Sequence, residues 1–314
     1  MNINEPSPRD GAPVLTEPGD RPQRAALFQP NLSGRYTLDR IFACFAWGAT
    51  ALAVAILAWL LLTILIDGIG TLNWNFIDSF ASRRAERAGI KAALAGTLWV
   101  MGVVAVFSFP LGVGAGIFLE EFSEDNWFTR LVEINISNLA GVPSIIYGLL
   151  GLAAFVRLLG PITGGRSVLT GGLTLVLLIL PVIIVSTREA LRTVPDGIRA
   201  AGFALGATRW QVIWNHILPA AMPGILTGMI LSLSRAIGET APLLAIGAAS
   251  FIAFTPDGLG SSFTALPIQI YDWVGRPQKE FHDLAASGII VLMTVLLLMN
   301  AGAIYLRNRF QQTR

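Results

Sequence analysis

Charge is scarce in this sequence, and so are the residue types that most enzyme chemistry needs. Charged side chains make up 13% of the 314 residues, against about 25% in an ordinary soluble domain, so most of the chain belongs in lipid. Only two lysines occur, Lys91 and Lys279, and neither completes a GxxxxGK[ST] phosphate cradle, so the chain carries no ATP-driven motor of its own. His216 and His282 are isolated, which removes the usual zinc patterns, and no GxSxG or HExxH run provides for an intramembrane hydrolase. The single cysteine, Cys44, excludes an intrachain disulfide. A net charge of +2 without any basic run gives nucleic acid no footing. The expectation is a chain with no catalytic residue, no metal and no cofactor.

What the sequence has in excess is apolar residues, 54% of the total. A hydrocarbon core ~30 Å thick needs about 20 of them in a row. Runs of that length suggest six spans, at about Ile41–Ile66, Leu94–Leu119, Ile134–Val156, Val168–Thr187, Met222–Ala249 and Leu284–Leu306. The fold class expected is therefore an all-α polytopic membrane protein, with residues 36–314 as the permeating domain. Residues 1–35 are polar and proline-rich, with too little apolar surface to fold alone, and read as a disordered tail. Six spans put both termini on one side. The excess of Arg in the tail, the segment after the fourth span and the C-terminus makes that side the cytoplasm. The acidic run Glu120, Glu121, Glu124 and Asp125 fits no calcium loop and reads as a solvated or interfacial face. Tyr271 and Trp273, in the long outer connection, suit the membrane interface or a docking partner.

Two spans carry polar residues that lipid would reject. In the fifth, Arg235 lies near the middle of the run, where a charge costs at least roughly 2.5 kcal/mol, and Glu239 follows at i+4. Gly224, Gly228, Ser232, Arg235 and Glu239 fall within roughly 80° of one helical face, which reads as a packed interior seam or the wall of a path. The pair either locks two helices together or serves an anion in transit. In the third span, Asn138 and Ser144 flank Gly141 and Pro143, which should break or bend the helix, and the polar groups either pack an interface or line the path.

The segment at about 188–219 is basic and polar. Ile198, Ala201, Gly202 and Leu205 are spaced as one helical stripe, and Trp210, Ile213, Trp214 and Ile217 as a second, after Gly206. Thr208 and Gln211 form a capping-box pattern, and Pro219 marks the end of the second helix. The pattern suits a helix docked in a partner's groove, or one lying flat in the lipid interface.

The run AAGFALGATRWQVIWNHILP, from Ala200 to Pro219, resembles the EAA loop of ABC importer permeases. Ala200 stands where that motif usually has Glu, Gly202 where it has its second Ala, and His216 where it usually has an aliphatic residue. Joined with NISNLAGVPSIIYGLLGL (Asn135–Leu152), SRAIGETAPLL (Ser234–Leu244) and IYDWVGRPQ (Ile270–Gln278), the chain from about Arg35 onward resembles the PstA-type permeases of phosphate ABC importers. The resemblance implies the type I importer permease fold, in the inner membrane. It implies as partners a paralogous PstC-type permease, a PstB-type ATPase dimer that binds the ATP, and an extracytoplasmic PstS-type phosphate-binding protein. Coupling to the ATPase would fall to Ala200, Ala201, Gly202, Gly206, Trp210, Ile213, Trp214 and Ile217, and the substrate path to Arg235, Glu239, Ser232, Ser144 and Asn138. The alternatives are a permease for another oxyanion, the PstC-type sister subunit, and a secondary anion transporter that uses Arg235 and Glu239 as a proton relay.

Overall fold

A computed structural model describes residues 32–312. The tail expected over residues 1–35 lies outside the described residues as far as residue 31, and residues 32–35 already open a helix. The chain divides into two compact units, one ending at Leu60 and the other starting at Leu61. Helix α1 (Leu32–Ile69) begins in the first unit and ends in the second, and its part in the first presents apolar side chains such as Phe42, Leu52 and Trp59 on all sides, as a helix in lipid does. Its backbone groups are satisfied along the helix, and the Thr50 hydroxyl donates to the Ala46 carbonyl at 2.9 Å.

The second unit is built on two helices, α3 (Lys91–Ile117) and α7 (Val168–Arg192), preceded by the short α2 (Trp74–Asp78). Val100, Val104, Leu175 and Ile179 are fully buried where the pair meets. The axes come close because Gly112 leaves room for Ile183; a Cβ there would stand 2.5 Å from its Cγ2. Along the other flank of α7 runs α10 (Leu218–Gly238), with Ala221, Ile225, Gly228, Ser232 and Ala236 as its buried line. The last helix, α13 (Lys279–Gln312), packs on α10, where the Ser234 hydroxyl donates to Asn300 Oδ1 at 2.7 Å. The described residues contain no strand.

Among the described residues, five helices are long and apolar enough to cross a membrane: Tyr36–Ile69, Lys91–Phe122, Val168–Arg192, Arg209–Gly238 and Lys279–Arg309. The expected third span is broken. It consists of α4 (Trp127–Ala140) and α5 (Ser144–Gly151, prolonged by a π-helical turn to Leu158), bent by 106° at the Gly141–Pro143 break. Counting the bent pair as one span gives six. The break leaves few orphan groups: Gly141 and Val142 donate to the carbonyls of Asn138 and Leu139, and the Tyr147 hydroxyl reaches back to Leu139 at 2.7 Å. A small helix, α6 (Gly160–Thr163), leads into α7.

Three further expectations are corrected. The fifth span does not run from Met222 to Ala249; its helix starts at Arg209 and stops at Gly238, and a separate turn, α11 (Ala241–Ala245), follows. Pro219 does not end the coupling helix. A π-helical turn at Ile213–Ile217, in which the Leu218 N–H reaches five residues back to Ile213, widens the coil and carries the helix on past the proline. Trp273 is not at an interface. It lies on α12 (Leu266–Val274), wholly buried, with its ring centroid 5.9 Å from that of Phe76, because the connection between α11 and α13 folds back over the starts of α3 and α13.

Candidate functional site

The polar residues of α10 occupy different environments. Ser232 is buried and donates to the Gly228 carbonyl at 2.9 Å, and Gly228 itself lies against Ser186 of α7. Arg235 is 44% exposed and Glu239 17%, joined by Arg235 Nε donating to Glu239 Oε1 at 3.2 Å. Gly224 is exposed as well. The expected single interior face is therefore split: α7 lies against Gly224 through Ala190 and against Gly228 through Ser186, and Ser232 is buried, whereas Arg235 near the end of α10 remains exposed. Glu239 is no longer helical. Its backbone is extended, so the pair spans the helix end instead of adjacent turns.

Just beyond, α11 packs on α5, where Gly148 sits so close that a Cβ would lie 2.6 Å from that of Ala245. This contact ties the broken third span to the segment following Glu239. Arg235 is within electrostatic range of Tyr147 on α5. Ser144 is half-buried at the first turn of α5, and Asn138 is exposed at the end of α4. Among the described residues, no hydrogen bond joins either side chain to Arg235.

At the other end of the bundle is a set of ion pairs that the sequence reading missed. A π-helical turn at Phe118–Phe122 prolongs α3 and directs its adjacent carboxylates to different arginines. Glu120 accepts from Arg188 at 3.1 Å and from Arg192 at 2.8 Å; Glu121 accepts from Arg199 at 2.6 Å; Glu133 on α4 accepts from Arg188 at 2.6 Å. Glu121 is only 7% exposed and Glu120 is half-buried, so the expected solvated or interfacial face is corrected for these two, while Glu124 and Asp125 are exposed as expected. Arg199 also donates to the Leu191 carbonyl in the last turn of α7, which accepts the Val194 N–H as well, to the Val194 carbonyl just past that helix, and to Asp196. The bond to Glu121, foremost, holds the Arg199 guanidinium above the ordinary arginine range. These bonds fasten α8 (Asp196–Ala204) to the ends of α3 and α7. Carboxylates and arginines at the same end of neighbouring spans were a signal available in the sequence, since the topology argument had already put them on one side.

The expected coupling segment is well formed locally. After α8, Gly206 takes a left-handed φ of 78°, with the Gly206 and Ala207 N–H groups bonded to the Phe203 and Gly202 carbonyls. The Thr208–Gln211 capping box then opens α9 (Arg209–Val212), which runs through the π-helical turn into α10. Gly202 is buried on Val212; a Cβ there would come within 2.6 Å. The two apolar stripes do not form one docking face. Ile213 and Ile217 are fully buried in the chain's own core, whereas Trp210 and Trp214 are exposed and stacked, with centroids 5.6 Å apart. The spacing that grouped the four assumed a straight α-helix, and the π-helical turn changes the angle between them. Besides the two tryptophans, Ile198, Ala200, Ala201, Phe203, Ala204 and above all Leu205, which is 89% exposed, are left uncovered.

The family model described as "Binding-protein-dependent transport system inner membrane component" matches residues 108–312, from the middle of α3 to the end of α13. The chain belongs to this family of inner-membrane transport components. Among curated relatives it is similar to the phosphate transport system permease protein PstA of Mycobacterium leprae, 33% identical over 92% of this chain and 96% of that one. It is also 32% identical to the probable ABC transporter permease protein YqgI of Bacillus subtilis, over 82% of this chain and 90% of the relative. Among solved structures, a chain of a bacterial alginate ABC transporter aligns with a TM-score of 0.65 over 88% of this chain and 96% of that one, at 14% identity. The fold is that of the type I ABC importer permeases, in a multi-pass membrane protein.

Proposed function

We propose that this chain is the transmembrane permease subunit of an ATP-driven importer of inorganic phosphate. The likeness to phosphate permeases along nearly its whole length carries the reading. The chain itself performs no catalysis and needs no cofactor. ATP is bound by a PstB-type ATPase dimer, the path is closed by a paralogous PstC-type permease, and phosphate is delivered by a PstS-type binding protein, with both termini of this chain in the cytoplasm. The ATPase engages α8 and the turn at Leu205–Gly206, whose apolar side chains are otherwise exposed.

Within that reading Arg235 is the residue that meets phosphate. A guanidinium offers two parallel N–H donors matched to phosphate oxygens, and its charge offsets that of an anion in a low-dielectric passage. Glu239 holds Arg235 when the path is empty and is displaced when phosphate arrives. The exposure of Arg235 in the isolated chain supports a place where a second permease, or an anion between the two, can reach it. The test is phosphate uptake per assembled complex after reconstitution with the ATPase, the partner permease and the binding protein. Arg235→Gln with Glu239→Gln should assemble and fail to transport; near-normal uptake by that double variant would make the pair structural and end this assignment.

A further inference from the structure

Between the second half of α3 and the start of the α9–α10 helix lies a groove of about 950 Å³, at the upper end of the roughly 300–1,000 Å³ typical of small-molecule sites. Its walls are Phe109, Pro110, Phe118, Phe122, Trp210 and Trp214, and its lining is almost wholly apolar. The stacked indoles sit at the start of the Arg209–Gly238 span, and tryptophan is enriched at the ends of membrane spans. At the rim stands Arg209, its guanidinium 5.6 Å from the Phe122 ring centroid. Among the described residues Arg209 makes no ion pair. Arg209 also lines a smaller adjoining pocket with Glu121 and Arg199, and there Glu121 is already engaged by two guanidinium nitrogens of Arg199. The groove thus combines a dry apolar slot with one uncompensated positive charge at its interfacial mouth.

We propose that this groove is a binding site for an anionic diacyl phospholipid, with an acyl chain along the Phe109–Trp214 slot and the phosphate on Arg209. A zwitterionic lipid brings its own cation and gains less from Arg209. A protein partner's apolar helix would fill the slot but leave the arginine unmatched. A basic residue at the mouth of a cleft between membrane helices is the arrangement that favours anionic headgroups, by about fivefold for one cation near the surface.

The full chain in its assembled complex is placed in phosphatidylcholine nanodiscs. These contain a small fraction of either phosphatidylglycerol or phosphatidylcholine bearing a photoactivatable acyl chain. After illumination, adducts are mapped by peptide mass spectrometry. Segments 109–122 and 210–222 should be labelled about fivefold more by the phosphatidylglycerol probe. The excess should vanish in Arg209→Gln and persist in Arg209→Lys. Equal labelling of the unmodified chain by both probes would reduce the groove to ordinary boundary lipid, and no labelling by either would show that a protein segment fills it. Either result overturns the proposal, and neither requires a variant to fold.

Discussion

Arg199→Met is the perturbation that best separates a working ion-pair cluster from a crowded surface. Among the described residues Arg199 is the one cation bonded to Glu121, which is nearly inaccessible, and it also donates to the Leu191 and Val194 carbonyls around the end of α7. Removing one partner of a buried pair costs about 3–5 kcal/mol, because the remaining charge is left without compensation. At roughly 2–4 °C per kcal/mol for larger domains, the detergent-solubilised complex should melt about 6–20 °C lower. Glu121→Gln is milder, about 1–3 kcal/mol, since Arg199 keeps both backbone carbonyls and Asp196. The double variant, Arg199→Met with Glu121→Gln, leaves no orphan charge and should recover at least half of the loss caused by Arg199→Met. The assay is the fraction of monodisperse complex surviving a temperature series, read by size-exclusion chromatography. The reasoning is refuted if Arg199→Met melts like the unmodified chain, or if the double variant is no more stable than Arg199→Met.

Two further outcomes are expected. Gly228→Ala places a methyl group about 2.2 Å from Ser186 Oγ and so forces α7 and α10 apart; a loss of about 1–3 kcal/mol follows, and adding Ser186→Gly should restore the thermal midpoint if that contact is the cause. Leu205→Asp, on the uncovered turn after α8, should leave the melting of the isolated chain within about 0.5 kcal/mol while lowering transport-coupled ATP hydrolysis in the reconstituted system; unchanged coupling would move the ATPase contact elsewhere.

Much of this protein follows from its sequence because lipid imposes simple rules. Apolar runs long enough to cross the bilayer identify spans whatever their neighbours are, and all five continuous spans were legible this way. Gly141 and Pro143 announced the break in the third span because the restriction is local to the backbone. The same holds for Gly206 and for the Thr208–Gln211 box, whose bonds close within a few residues. What tertiary structure alone decided was which side of each helix acquires a cover. Helical spacing put Ser232 and Arg235 on one arc, but the fold buries Ser232 and leaves Arg235 exposed, and nothing in the spacing specifies how wide a neighbour's cover is. Ile213 is buried and Trp214 more than half exposed although the two are adjacent, because successive helical side chains point about 100° apart and only the packing of the bundle decides which direction is covered. Glu121 and Arg199 meet across 78 residues of sequence. A charge's partner over that distance is set by which helices pack and how far each extends, and those depend on contacts formed throughout the bundle.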